Sequence, residues 1–442
     1  MSLAASGPCA RNACRIRALS RRSPLPSPPA RTRSDRMPLP LIFILVTVMI
    51  DAMGVGLILP VMPDLIREVR GGGLSDAALW GGVLATGFAA MQFLFGPVLG
   101  GLSDRFGRRP VLLLALIVMT VDYGVMALAG SIWLLLIGRL VGGITAATHA
   151  TASAYMADIS PAQDRAARFG LIGAAFGAGF VLGPLMGGVL GEYGTRAPFW
   201  AAALLAAGNA ALGWAVLRET LPPTQRRAFD WRRANPLGAL RALGRLPEVG
   251  RLLAVYFIYH VGFAAYPAVW AYFGVERFGW SPTMIGLSLG LFGVQMALVQ
   301  GALIGPVIRR LGARTTVILG HVFALAAFAA LTVLTSGTWA LIMTPLAALA
   351  GVIPPALQGI MSARVNADAQ GELHGALSSS TALAMILSPL TMTAVFAYFT
   401  APEAAVYLPG APFLLALLLT LGGLVLFASR PTPTSQAGPS PQ

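Results

Sequence analysis

The stretch Gly100-Gly101-Leu102-Ser103-Asp104-Arg105-Phe106-Gly107-Arg108-Arg109-Pro110 packs four ions into a chain that has few. The runs on either side, residues 79–99 and 111–130, are each long enough to cross a bilayer core, which takes about 20 apolar residues. The stretch therefore reads as a tight charged turn between two membrane helices. Whatever it does, it does at the membrane surface.

The rest of the composition agrees. Hydrophobic residues make up 56% of the 442 residues and charged ones only 11%, too apolar a balance for a soluble globule of this size. A net charge of +14 would suggest nucleic acid in a soluble protein, but every base here is arginine, and their placement matters more than their number. The two cysteines, Cys9 and Cys14, have neither redox-pair nor zinc spacing, so no disulfide framework and no metal site is expected.

Working outward, apolar runs of about 20 residues recur at 39–61, 79–99, 111–130, 132–156, 168–190, 198–217, 250–272, 284–308, 315–334, 339–361, 374–397 and 409–428. The expected fold is an all-α membrane protein with twelve transmembrane helices. Residues 219–249, the longest internal connection, carry Arg226, Arg227, Arg232, Arg233, Arg241 and Arg245 and divide the spans six and six. The expected domains are thus a six-helix half at 37–218, a cytoplasmic linker at 219–249 and a second half at 250–428. Residues 1–36, rich in Arg, Pro and Ser, are expected to be a disordered cytosolic tail, or a stretch upstream of a true start at Met37. Residues 429–442 form a second tail.

Arginine placement orients the chain. The two tails and the connections on their side hold 26 arginines, and the other side holds four. The positive-inside rule then puts both termini in the cytoplasm. Topology and attraction to anionic lipid account for the basic excess without nucleic acid, and no obligate protein partner is expected.

The halves also look like copies. Gly305-Pro306-Val307-Ile308-Arg309-Arg310-Leu311-Gly312-Ala313-Arg314 matches the opening stretch at the first Gly, the Arg five later, the Gly seven later and the Arg nine later, while Asp104 becomes Arg309. Gly170 precedes Gly183-Pro184 by thirteen, as Gly375 precedes Ser388-Pro389. These echoes support two six-helix pseudo-repeats around a central cavity, the plan of transporters that bind substrate between halves near mid-bilayer.

Of the 17 acidic residues only Asp51 and Asp122 lie deep inside a span, and Arg139 is the only deep base. A charge there costs about 2.5–3.5 kcal/mol or more on insertion scales. At about 1.5 Å per residue, Asp122 and Arg139 lie roughly 13 Å below the outer surface and Asp51 about 18 Å from the cytoplasmic face, one layer within a ~30 Å core. Two acids and one base leave one carboxyl without a full counter-ion, which makes the layer a proton-coupling site. The alternative is a structural Asp122–Arg139 pair with Asp51 hydrogen-bonded in its helix.

Gly179, Gly183 and Gly187, with Gly188 and Pro184 beside them, give the fifth span a small-residue face for close helix approach, alongside Gly138 and Gly142 in the fourth. His149, His260, Tyr266, Gln295, Gln300 and Gln358 are the candidates for a substrate cavity, or packing residues of the membrane core. No P-loop, no HExxH and no GxSxG elbow with plausible partners is present, so an enzyme is not expected and an active pump would draw on an ion gradient.

These residues carry a resemblance. Gly100–Pro110 is similar to the loop 2–3 signature of the major facilitator superfamily, and the Gly179–Gly188 run resembles its span 5 antiporter signature. Asp51 to Pro63, Ser103 to Leu114, Val121-Asp122-Tyr123, Gly138-Arg139-Leu140 and Gly143-Ile144-Thr145 together resemble the tetracycline–proton antiporters. That resemblance implies a bacterial inner-membrane exporter of a tetracycline–divalent cation chelate in exchange for a proton. Mg²⁺ would travel as part of the substrate, and no cofactor is implied. Asp51 and Asp122 fall at acids needed for transport, Arg139 at a basic position, and Asp104 and Arg108 in the gating loop with Gly100, Arg105, Gly107 and Arg109. Where well-known members carry a His in span 8 and an Asp in span 9, this chain has Met296 and Ala324, and span 7 has His260 for a typical Gln. The other readings are a metabolite exporter or symporter on the same fold, and a non-transporting membrane sensor or scaffold.

Overall fold

The computed structural model describes residues 39–230, apart from Ala147, and 249–429. Cys9, Cys14, Arg232, Arg233, Arg241, Arg245 and the tail from Arg430 lie outside the described residues. Among the described residues every regular element is a helix. In a bilayer only helices or closed barrels satisfy their own backbone groups. The protein is a multi-pass membrane protein.

The first half consists of α1 (Leu39–Ile58), the short α2 (Met62–Arg70), α3 (Leu74–Phe106), α4 (Arg108–Ala127), α5 (Ile132–Ala146), α6 (Thr148–Asp158), α7 (Arg165–Gly191) and α8 (Ala197–Val216). The second consists of α9 (Gly250–Phe263), α10 (Ala265–Phe278), α11 (Pro282–Leu298), a π-helical segment Val299–Leu303, α12 (Ile304–Val333), α13 (Gly337–Ile342), α14 (Thr344–Leu349), α15 (Ile353–Ser362), α16 (Gln370–Thr400) and α17 (Ala411–Ala428).

Eleven helical runs are long and apolar enough to cross a membrane, where twelve were expected. The difference lies in Pro282–Val333, a 52-residue run that contains predicted span 284–308 and all but the last residue of 315–334. Unbroken, it would be about 78 Å long against a core of about 30 Å. Its break is Gly312, at φ 77° and ψ 155°, a conformation that only glycine adopts without strain. Gly107 does the same in the first half at φ 106° and ψ 159°. The charged turn that the sequence suggested is therefore one glycine wide, with Asp104 in the last turn of α3 and Arg108 opening α4.

The two halves meet through α3 on α16 and α7 on α11. Both contacts sit toward the end of the bundle away from Arg108. Thr86 donates to the Ile386 carbonyl at 3.0 Å, and a methyl added at Gly188 would lie 2.5 Å from the Pro282 carbonyl. Glu192, just past α7, accepts the Thr283 amide at 3.3 Å, and hydrogen bonds from Ser281 and Thr283 hold its carboxyl below the usual range. Toward the arginine-rich end a Cβ at Gly96, Gly100, Gly173, Gly177, Gly301 or Gly375 would meet nothing within 4 Å. Among the described residues, these glycine and hydrogen-bond contacts between the halves thus lie away from the arginine-rich end.

Candidate functional site

Asp122 on α4 and Arg139 on α5 are 5% and 8% exposed. With Asp51 on α1, Phe88 on α3 and Tyr123, they line a cavity of about 20 Å³. That is room for about one water, far below the ~300 Å³ of a drug-sized pocket. The layer has room for a proton or a water and not for a drug-sized ligand.

Glycines make the layer possible. A methyl at Gly138 would lie 3.2 Å from Asp122 Oδ1, and one at Gly142 would lie 3.0 Å from Oδ2. The carboxylate lies flat against α5, and Oδ2 is buried without a hydrogen-bond partner. Among the described residues Arg139 makes no ion pair within 4.0 Å. Its guanidinium instead covers the Phe88 ring, 4.2 Å from the centroid. Equal depth brings acid and base into one cavity, but the rotation of α5 about its axis turns the base toward α3.

At the arginine-rich end, Arg108 pairs with Asp104 one helical turn back, donates to Ser103 Oγ at 2.7 Å, and reaches Asp158 at the end of α6 at 3.4 Å. Glu219, just after α8, accepts the backbone amides of Arg108 at 2.9 Å and Arg109 at 3.3 Å. It supplies the cap and the negative charge that the first turn of α4 needs. Arg109 donates to the Trp214 carbonyl at 3.1 Å and faces its ring. Arg227 donates its amide to the Asp104 carbonyl at 3.1 Å, which ties the start of the linker to the same cluster. Arg105 lies over the Phe106 ring.

The small-residue stripe of α7 serves two neighbours. Gly179, Gly183 and Gly187 abut the backbone of α1 at Met49, Met53 and Leu57, whereas Gly188 abuts α11. Pro184 belongs to both contacts, with its ring against Gly56 of α1 and its carbonyl against Gly286 of α11.

In the second half Tyr266 is 7% exposed and stacks on Phe292 and Phe328, each 5.4 Å between centroids, with its hydroxyl buried and unpartnered. It is a packed core residue in this arrangement. His260 contacts the Tyr256 carbonyl through Nδ1 at 2.8 Å. His149 sits edge-on to Phe176. Gln295 Oε1 is buried without a partner. Gln300 lies in the π-helical segment, and Gln358 is half-buried on α15.

The family model described as Major Facilitator Superfamily matches residues 44–275 and 252–441. The tetracycline resistance protein of class C from Escherichia coli is 44% identical over 358 residues, covering 81% of this chain and 89% of its own length. The class G protein of Vibrio anguillarum is 41% identical, covering 80% and 90%. The chain belongs to the Major Facilitator Superfamily, in the family of the tetracycline resistance proteins. Among solved members of the superfamily, the human organic anion transporter MFSD10 is similar at 26% identity and a TM-score of 0.64, covering 91% of this chain and all of that one. The major facilitator fold explains why α3, α7, α11 and α16 carry the contacts between halves.

Within this family setting, three residues of the site were missed in the sequence. Glu219 and Asp158 each end a span in an arginine-rich segment, which was the available signal. Phe88 had none, being one apolar residue among many.

Proposed function

We propose that the protein is a proton-driven exporter of tetracycline, carried as its divalent-cation chelate, in the bacterial inner membrane with both termini cytoplasmic. The observation that carries this reading is the buried layer of Asp51, Asp122 and Arg139 in a cavity of about 20 Å³ that admits a proton and excludes a drug. The relatives named for tetracycline resistance support the cargo. Contacts between halves that lie away from the arginine-rich end, together with the arginine bias, support loading from the cytoplasm. The chain's own groups do the coupling. A proton taken up on one carboxyl of the layer neutralises a charge that is costly in a low dielectric, and so changes which packing of the halves is favoured.

Inverted membrane vesicles with an acidic lumen test the reading. Tetracycline with Mg²⁺ should dissipate the pH gradient, and Asp51→Asn should remove that response. Dissipation by other compounds alone would point to a different cargo on the same coupling layer. No response to any compound would leave a non-transporting protein.

A further inference from the structure

The geometry points to Phe88 as a positioning residue for proton coupling: its ring face holds the Arg139 guanidinium beside Asp122 yet short of a direct ion pair. This rests on the coupling role proposed for the acid layer. An arginine 8% exposed in a membrane interior needs compensation for its charge, and a carboxylate is the usual source. Here Asp122 lines the same cavity, yet the cation sits on an aromatic face 4.2 Å away and Asp122 Oδ2 keeps no hydrogen-bond partner. An aromatic face attracts the cation without supplying an anion.

The ring is held where it is needed. Gly143 of α5, one helical turn after Arg139, abuts the Phe88 carbonyl, and a methyl added there would lie 2.9 Å from Met91 Cβ, so α3 and α5 pack backbone to backbone beside the ring. Both helices belong to the first half, and the ring and the cation travel together as the halves move.

The consequence is chemical. A direct Arg139–Asp122 bond would lock the acid in its charged form, and a coupling carboxyl must change its charge in every cycle. By keeping the base on the ring, Phe88 leaves Asp122 able to take up and give back a proton. The titratable groups facing this cavity are Asp51 from α1, Asp122 and Tyr123 from α4, and Arg139 from α5, so the base freed from the ring has Asp122 as a partner already in its layer.

The test is the pH profile of drug-dependent proton exchange in inverted vesicles. It compares Phe88→Met and Phe88→Leu, which keep an apolar side chain without a ring, with Phe88→Tyr, which keeps the ring. The ringless variants should shift the profile toward acid by about one unit, a tenfold change in the proton concentration needed, with the drug KM unchanged, and Phe88→Tyr should restore the wild-type profile. An unshifted profile in Phe88→Met overturns the inference, as does equal loss in all three variants at normal membrane abundance, which would mark Phe88 as packing alone. Asp122→Asn separates the two levels. If it retains drug-dependent proton release, the coupling role itself fails; if it is inactive while Phe88→Met keeps the wild-type profile, only the role of Phe88 fails.

Discussion

Gly100–Pro110 and Gly305–Arg314 are one turn built twice, and they differ in what fastens them. Each breaks a helix at a single glycine with nearly the same ψ, 159° at Gly107 and 155° at Gly312. In the first copy Asp104, Ser103, Asp158 and Glu219 converge on Arg108. In the second, Arg309 stands where Asp104 would be, and among the described residues neither Arg309 nor Arg310 makes an ion pair within 4.0 Å. The backbone turn therefore needs only the glycine. Asp104, Asp158 and Glu219 are the addition, and through Arg108 they tie together the ends of α3, α4, α6 and α8, a fastening for which the second copy shows no counterpart at Arg309 and Arg310.

The largest expected effect breaks the comparison at the acid. Asp104→Asn should lower export at least tenfold while the protein remains in the membrane, read by vesicle transport against immunoblot of the membrane fraction. Unchanged export would reduce the turn to a topological signal. Next, Gly107→Ala and Gly312→Ala should each destabilise by about 1–3 kcal/mol because both positions need a glycine-only conformation. Gly107→Ala should be the more damaging, since its new methyl would meet the Glu219 carboxylate. Thermal unfolding in detergent gives the order. A smaller loss, about 1 kcal/mol, is expected for Glu219→Gln, which weakens the charged cap on α4. The same assay would find no change if the cap were incidental. Smallest of all, Arg309→Gln should change export by less than about twofold, because a lone exposed charge contributes little. A large loss there would show that the second copy has a partner in another state of the cycle.

Much of this fold was legible because membrane spans are long and loops short. The apolar runs, the glycine spacing and the echo between turns all follow from constraints local to about 20 residues. The two spans read at 284–308 and 315–334 lie in one helical run, Pro282–Val333, because helix continues up to the turn on both sides of Gly312, a continuity that hydropathy does not register. The π-helical segment at Val299–Leu303 is likewise invisible to a hydropathy count. The site was legible in depth and not in rotation. Distance along a helix placed Asp51, Asp122 and Arg139 in one layer, but which way Arg139 faces depends on how α5 packs on α3 through Gly143. Glu219 meets Arg108 across 111 residues of sequence, a partnership fixed by tertiary packing alone.

The bond from Arg227 to the Asp104 carbonyl fastens the start of the connection between halves to the turn of the first half. From there to Gly250, where α9 starts, the covalent chain can extend to roughly 75 Å, well over twice the ~30 Å thickness of a bilayer core. By covalent reach alone a connection of that length spans the bilayer core with length to spare, which leaves the helix contacts at Gly188 and Thr86 to hold the two halves together.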